Sequence, residues 1–176
     1  MAEERPEERL RRLEEQLHAL QAENDLLAEQ SEDSHLIALV SEELHASSDV
    51  DRIVDATLER VSLLKDIPLC LSGTLGEGGE LVIRRAYASF TPEPPGRQTL
   101  AFPAPLARAA AAGPVFLDAE HCRLLGLAQI FGSAQFVPAA ALTVPLRSRP
   151  EAGRVFLFAV ADEPGRLALL AGTLER

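Results

Sequence analysis

The leucines Leu10, Leu13, Leu17, Leu20 and Leu27 follow one another at steps of 3, 4, 3 and 7 residues. That is the spacing of a heptad seam, in which apolar side chains return to one face of a helix about every 3.5 residues. With Leu10 and Leu17 at a, and Leu13, Leu20 and Leu27 at d, the remaining a position holds Asn24. A single Asn at an a position pairs with its twin in a parallel, in-register dimer and costs stability in other arrangements. Arg9 at g then faces Glu14 at e across the dimer, and Gln16 faces Gln21. Pro6 lies one turn before Leu10, where a helix start tolerates proline. A solvated single helix is the plainer alternative, but it would leave an all-leucine edge in water. The pattern predicts a parallel coiled-coil homodimer over residues 1–34, with Leu10, Leu13, Leu17, Leu20, Asn24 and Leu27 at its interface.

The heptad fails after Leu27, because Ser31, Ser34, Ala38 and Ser41 occupy the next a and d slots. A second stripe, Leu36, Ile37, Val40 and Leu44, begins one residue out of phase, which is about 100° of helix rotation. The same helix can thus leave its twin and turn to a domain of its own over residues 35–176, and a signal would cross at that junction.

Charge separates the two parts. Residues 1–33 carry 11 acids against 4 arginines, and the remaining 143 carry 16 acids against 13 bases, out of a net charge of −10. With no basic stripe to neutralise phosphates, nucleic-acid binding is disfavoured. No run reaches the roughly 18 apolar residues of a membrane span, and the start MAEERPEERLRR has no apolar signal-peptide core. Cys70 and Cys122 stand 52 positions apart, a spacing that fits neither a zinc set nor a redox pair. These features predict a cytoplasmic protein with free thiols, no metal and no cofactor.

Beyond the leader the chain reads as helices followed by strands. Ser48 and Asp51 resemble a capping box, and Ile53, Val54, Leu58, Val61 and Leu64 then keep helical spacing to about Lys65. Strands are expected at Ile67–Leu75 and Glu80–Ser89, joined by the turn Gly76-Glu77-Gly78-Gly79, which lacks the Lys and Ser/Thr of a phosphate loop. Residues 91–97 read as a loop, Gln98–Phe102 as a short strand, and Ala104–Ala112 as a helix stopped by Gly113-Pro114. Val115–Asp118 is a strand, Glu120–Leu127 a helix, and residues 128–138 irregular. Ala140–Leu146 and Val155–Ala161 form a hairpin across RSRPEAGR, and Arg166–Glu175 is a last helix with Leu167, Leu169, Leu170 and Leu174. The order predicts an α+β fold with an antiparallel sheet of five or six strands flanked by helices.

This order resembles the GAF domain, a relative of PAS domains. SSDVDRIVDATLERV is similar to its second helix, LARAAAAGPVFLD to the segment where a helix ends at Gly-x-Pro before a strand closing in Asp, and AALTVPLRSRPEAGRVFLFAVAD to its final hairpin. More narrowly, CRLLGLAQIFG, Ala140-Ala141-Leu142, Pro145-Leu146 and Asp162 to Arg166 resemble a group of bacterial GAF-like proteins of unknown function that join a heptad leader directly to the domain. The resemblance implies a site between sheet and helices near the third and fourth strands. Here that site falls at Phe102, Phe116, His121, Cys122, Phe131 and Phe136, an apolar cleft with a few polar groups. The same phenylalanines would serve equally as core.

Bilin-binding GAF domains carry the pigment on a cysteine beside a histidine. Here the order is His121-Cys122, without the usual surroundings. One GAF branch reduces free methionine sulfoxide through clustered cysteines, which this chain lacks; Cys70 in LCLSGTL is expected to be inert, and Cys122 to be exposed. The asparagine-lysine-phenylalanine signature of cyclic-nucleotide sites is absent, as is a nucleophile elbow. Arg84 and Arg85, adjacent on a strand, are expected on opposite faces, with either one of them meeting an anion in the cleft or, more commonly for such residues, both ends reaching solvent. The resulting expectation is a non-enzymatic, homodimeric sensor of signal transduction that binds a small molecule or a downstream signalling protein. A ligand-free dimerisation scaffold and a thiol-based reductase are the alternatives.

Overall fold

The computed structural model describes residues 6–93, 95–96, 98–132, 136–146 and 153–174. Contacts divide the chain into two compact units, Met1–Leu39 and Val40–Arg176. Helix α1, Pro6–Ala46, runs without a break, since nothing in it is a helix breaker after Pro6. Its seam leucines are all more than half exposed, from Leu13 at 52% to Leu20 at 62%. In the expected second stripe Leu36 is buried and Val40 half-buried, but Ile37 is exposed; the side chain of Leu44 lies outside the described residues.

Helix α2, Val50–Lys65, starts one residue later than the capping-box reading implies. Asp49, not Ser48, is its N-cap, accepting from the Asp51 N–H at 3.0 Å. A carboxylate reaches the second amide of the helix directly, so no reciprocal box is needed. Asp66 ends the helix in the left-handed conformation (φ 51°), its N–H donating to the Ser62 carbonyl. The strands β1 (Leu69–Leu75), β2 (Glu80–Ala88), β3 (Thr99–Ala101), β4 (Val115–Asp118), β5 (Ala140–Pro145) and β6 (Arg154–Val160) make one antiparallel sheet in the order β3-β2-β1-β6-β5-β4. Helices α3 (Ala104–Ala112), α4 (Ala119–Leu125) and α5 (Gly165–Leu174) complete it, with a single 3₁₀ turn at Leu127–Gln129. The expected Glu120–Leu127 helix stops two residues early because Gly126 takes φ 68° and caps it.

The α+β expectation holds, with six strands. Residues 147–152 of the expected final turn, Pro94, Arg97 and residues 133–135 of the two expected loops, and Glu175 lie outside the described residues.

Strand alternation gives the sheet two apolar faces. On one, Leu69, Leu71, Leu81, Ile83, Leu157 and Ala159 pack with Ala107 and Ala110 of α3 and Cys122 and Leu125 of α4. On the other, Cys70, Leu142, Phe156, Phe158 and Val160 are buried under Val54, Leu58 and Val61 of α2 and Leu167 and Leu170 of α5. Each fully buried Leu or Phe contributes about 1.5–3 kcal/mol through removal from water. Arg166 ties the second layer together: its guanidinium reaches Asp66 Oδ2 at 2.6 Å and Glu163 Oε2 at 2.8 Å, joining the end of α2 to the start of α5.

One irregularity changes where side chains point. The β1–β2 register steps from Ser72 opposite Arg85 to Gly73 opposite Ile83, leaving Arg84 as an extra residue. Such a β-bulge re-aims side chains. Ile83 and Ala86 both face the α3–α4 layer, so Arg84 and Arg85 both project toward α2, against the expectation of opposite faces. The backbones run close here, since a Cβ on Gly73 would sit 2.7 Å from the Val82 carbonyl oxygen.

Candidate functional site

The six residues expected to line a ligand cleft separate into three groups. Phe102, Phe131, Phe136 and Cys122 meet in the α3–α4 layer, all buried, and they fill it. Phe116 does not join them: on β4 it alternates with the buried Leu117 and is 54% exposed. His121 sits at the surface end of α4, where its backbone N–H donates to Asp118 Oδ1 at 2.9 Å and its Nδ1 lies 2.8 Å from the same oxygen. These contacts, the backbone one first, hold the Asp118 carboxyl below its ordinary range.

Phe90 is the member that the sequence reading left out. Its ring stacks on Phe136 at 4.8 Å and meets Phe131 edge-on at 5.6 Å. The two-residue step Ala86, Ala88, Phe90 places it on the inner face, a signal present in the sequence once the bulge is allowed for. This aromatic trio packs in the layer where a ligand was expected. A separate small pocket of about 100 Å³ lies beside Cys122, between α4 and Val137–Pro138, and none of these phenylalanines lines it.

Neither thiol suits nucleophilic work. Burial drives the Cys70 pKa far up, with the Ser62 hydroxyl opposing only in part. Cys122, expected to be exposed, is buried; desolvation and then the Asp118 charge push it up to about 11. It faces inward because α4 packs its Cys122–Leu125 side on the sheet. Among the described residues no group of three His, Cys, Asp or Glu could hold a metal ion.

A wider opening borders this layer along β2. β3 pairs only with Glu80–Val82, and the Ile83 N–H still reaches the Gln98 carbonyl at 2.8 Å. Beyond that point no described strand covers the outer edge of β2. A groove of about 980 Å³ runs there between Ile83–Phe90 and the segment that follows, with Ile83, Ala88 and Phe90 as apolar wall and Arg84, Tyr87 and Gln98 as polar groups. An uncovered strand edge presents backbone donors and acceptors to an extended partner. The arrangement can hold a molecule, and nothing among its described residues pairs a nucleophile with a base.

No known family pattern matches the chain, and no curated protein matches it in sequence. Solved structures do match in shape. The GAF domain of A. aeolicus nlh2, in an inactive state, has a TM-score of 0.61 at 11% identity, over 83% of this chain and 90% of that one. The fold is the GAF fold. Two further structures share this GAF architecture at equally low identity. The phycoerythrobilin-bound GAF domain of a cyanobacterial phytochrome gives 0.57 at 10% identity, over 83% and 92% of the two chains. The free methionine-R-sulfoxide reductase of Neisseria meningitidis, in complex with its substrate, gives 0.53 at 13% identity over 84% of each. Among the described residues of this GAF-like chain, no helix is long and apolar enough to cross a membrane.

Proposed function

We propose that this chain is a homodimeric regulatory module of the cytoplasm. Its GAF-like domain binds a small molecule or a signalling partner, and its leading helix pairs with a second copy and carries the signal. The observation behind this reading is the seam of α1, where Leu10, Leu13, Leu17, Leu20 and Leu27 lie on one side and each remains more than half exposed in a single chain. A helix of 41 residues with such an edge gains stability by covering it, and a twin offers the matching surface. Replacing Leu13 and Leu20 by Glu should turn a dimer into a monomer by light scattering, with the globular domain still folded by circular dichroism. Asn24→Leu should change oligomeric state or orientation. A wild-type chain that is monomeric at all concentrations would remove the proposal.

A ligand-free dimerisation scaffold is the second reading, favoured by the packing of Phe90, Phe131 and Phe136 in the place of a cleft. Thermal-shift measurements separate the two, because a ligand at 100 times its dissociation constant stabilises the fold by about 2.7 kcal/mol. The thiol-reductase reading has little support from Cys70 and Cys122, both buried, and a non-catalytic role is proposed.

A further inference from the structure

We infer that the α2 side of the sheet, beside the bulge, binds a small anion carrying a phosphate group. A cleft of about 280 Å³ opens there, with Ser72, Thr74, Arg84, Arg85 and Arg154 in its wall and Asp51 at its rim. The bulge creates this concentration of charge by turning Arg84 to the same side as Arg85, and the β1–β6 register sets Arg154 opposite Thr74. Three guanidinium groups therefore share one small cleft with the Asp51 carboxylate at its rim and Asp55 beside Arg85.

The three are not equivalent. Arg85 is tied to α2 through Asp51 at 2.8 Å and Asp55 at 3.2 Å. Its Nε is enclosed and, despite the nearby Asp55, makes no hydrogen bond. Arg84 and Arg154 have no carboxylate partner among the described residues, and the hydroxyls of Ser72 and Thr74 have no hydrogen-bond partner there either. Ser72 lines the cleft as a buried residue, and the enclosed side-chain atom left without a hydrogen bond among the described residues is Arg85 Nε. Guanidinium and hydroxyl donors thus converge on one space. Guanidinium forks match the oxygens of a tetrahedral oxyanion two at a time, and hydroxyls complete its shell. With Asp51 and Asp55 set against Arg84, Arg85 and Arg154, the cleft keeps an excess of positive charge for such an anion. This site lies on the sheet face opposite the phenylalanine-filled layer, and it stands whether or not the dimer does.

The test is titration calorimetry of the full chain at constant ionic strength with inorganic phosphate, pyrophosphate and citrate. Phosphate or pyrophosphate should bind, and Arg84→Gln and Arg154→Gln should each weaken binding at least tenfold. Arg108→Gln, on α3 across the sheet, should leave it unchanged. Thr74→Val offers a neutral variant with a smaller loss, should either arginine variant unfold. Three outcomes would overturn the inference: no heat at about 10 mM of either phosphate ligand; equal weakening by Arg108→Gln; or tighter binding of citrate than of both phosphate ligands.

Discussion

Asp118 ends β4 and begins α4 with the same side chain, accepting from the His121 amide while its oxygen also meets the imidazole. Its folded pKa lies below the unfolded value of about 4, so its contribution is fully present above that value and is lost as pH falls through the folded one. Asp118→Asn keeps a competent cap without the charge. Urea unfolding from about pH 6 to 2 should therefore show wild type losing stability on acidification faster than the variant; parallel curves would refute the linkage. At Cys122, a pKa of about 11 leaves roughly one thiolate in ten thousand at neutral pH. Disulfide reagents should label neither cysteine until the chain unfolds, and rapid labelling of folded Cys122 would revive the reductase reading. The apolar character of the site residues was legible in the sequence, but their direction was not. Phe116 and Leu117 are equally apolar, and only the pairing of β4 with β5 decides which of them is buried.

Elements were more legible than residues because their boundaries are set by local chemistry. Proline lacks an amide hydrogen, and β1 accordingly begins at Leu69, after Pro68, and not at Ile67. Gly113 and Gly126 end α3 and α4. The β1–β2 turn depends on Gly79, whose φ is 84° and whose added Cβ would lie 2.5 Å from the Phe102 carbonyl oxygen. Gly79→Ala should therefore cost about 2–3 kcal/mol in equilibrium unfolding, and an unchanged midpoint would show that this turn can relax. The bulge, by contrast, has no local signature: Arg84 and Arg85 read as two ordinary strand residues. It follows from fitting a long strand against a partner containing Gly73, a fact of pairing that a single strand does not carry.

At the scale of the whole molecule, the order of elements carried the fold, since hairpins at both ends of the strand series leave few ways to close one antiparallel sheet. The location of open space was not legible, because a cavity is what remains after all side chains are placed. The layer expected to be open is occupied by four aromatic rings, and the space lies at the strand edge and beneath α2. The groove wall also contains Tyr87, in a chain with one tyrosine and no tryptophan. Ultraviolet emission from the intact protein therefore arises almost wholly at that wall. The molecule carries its own optical reporter, and whatever settles against β2 announces itself without a label.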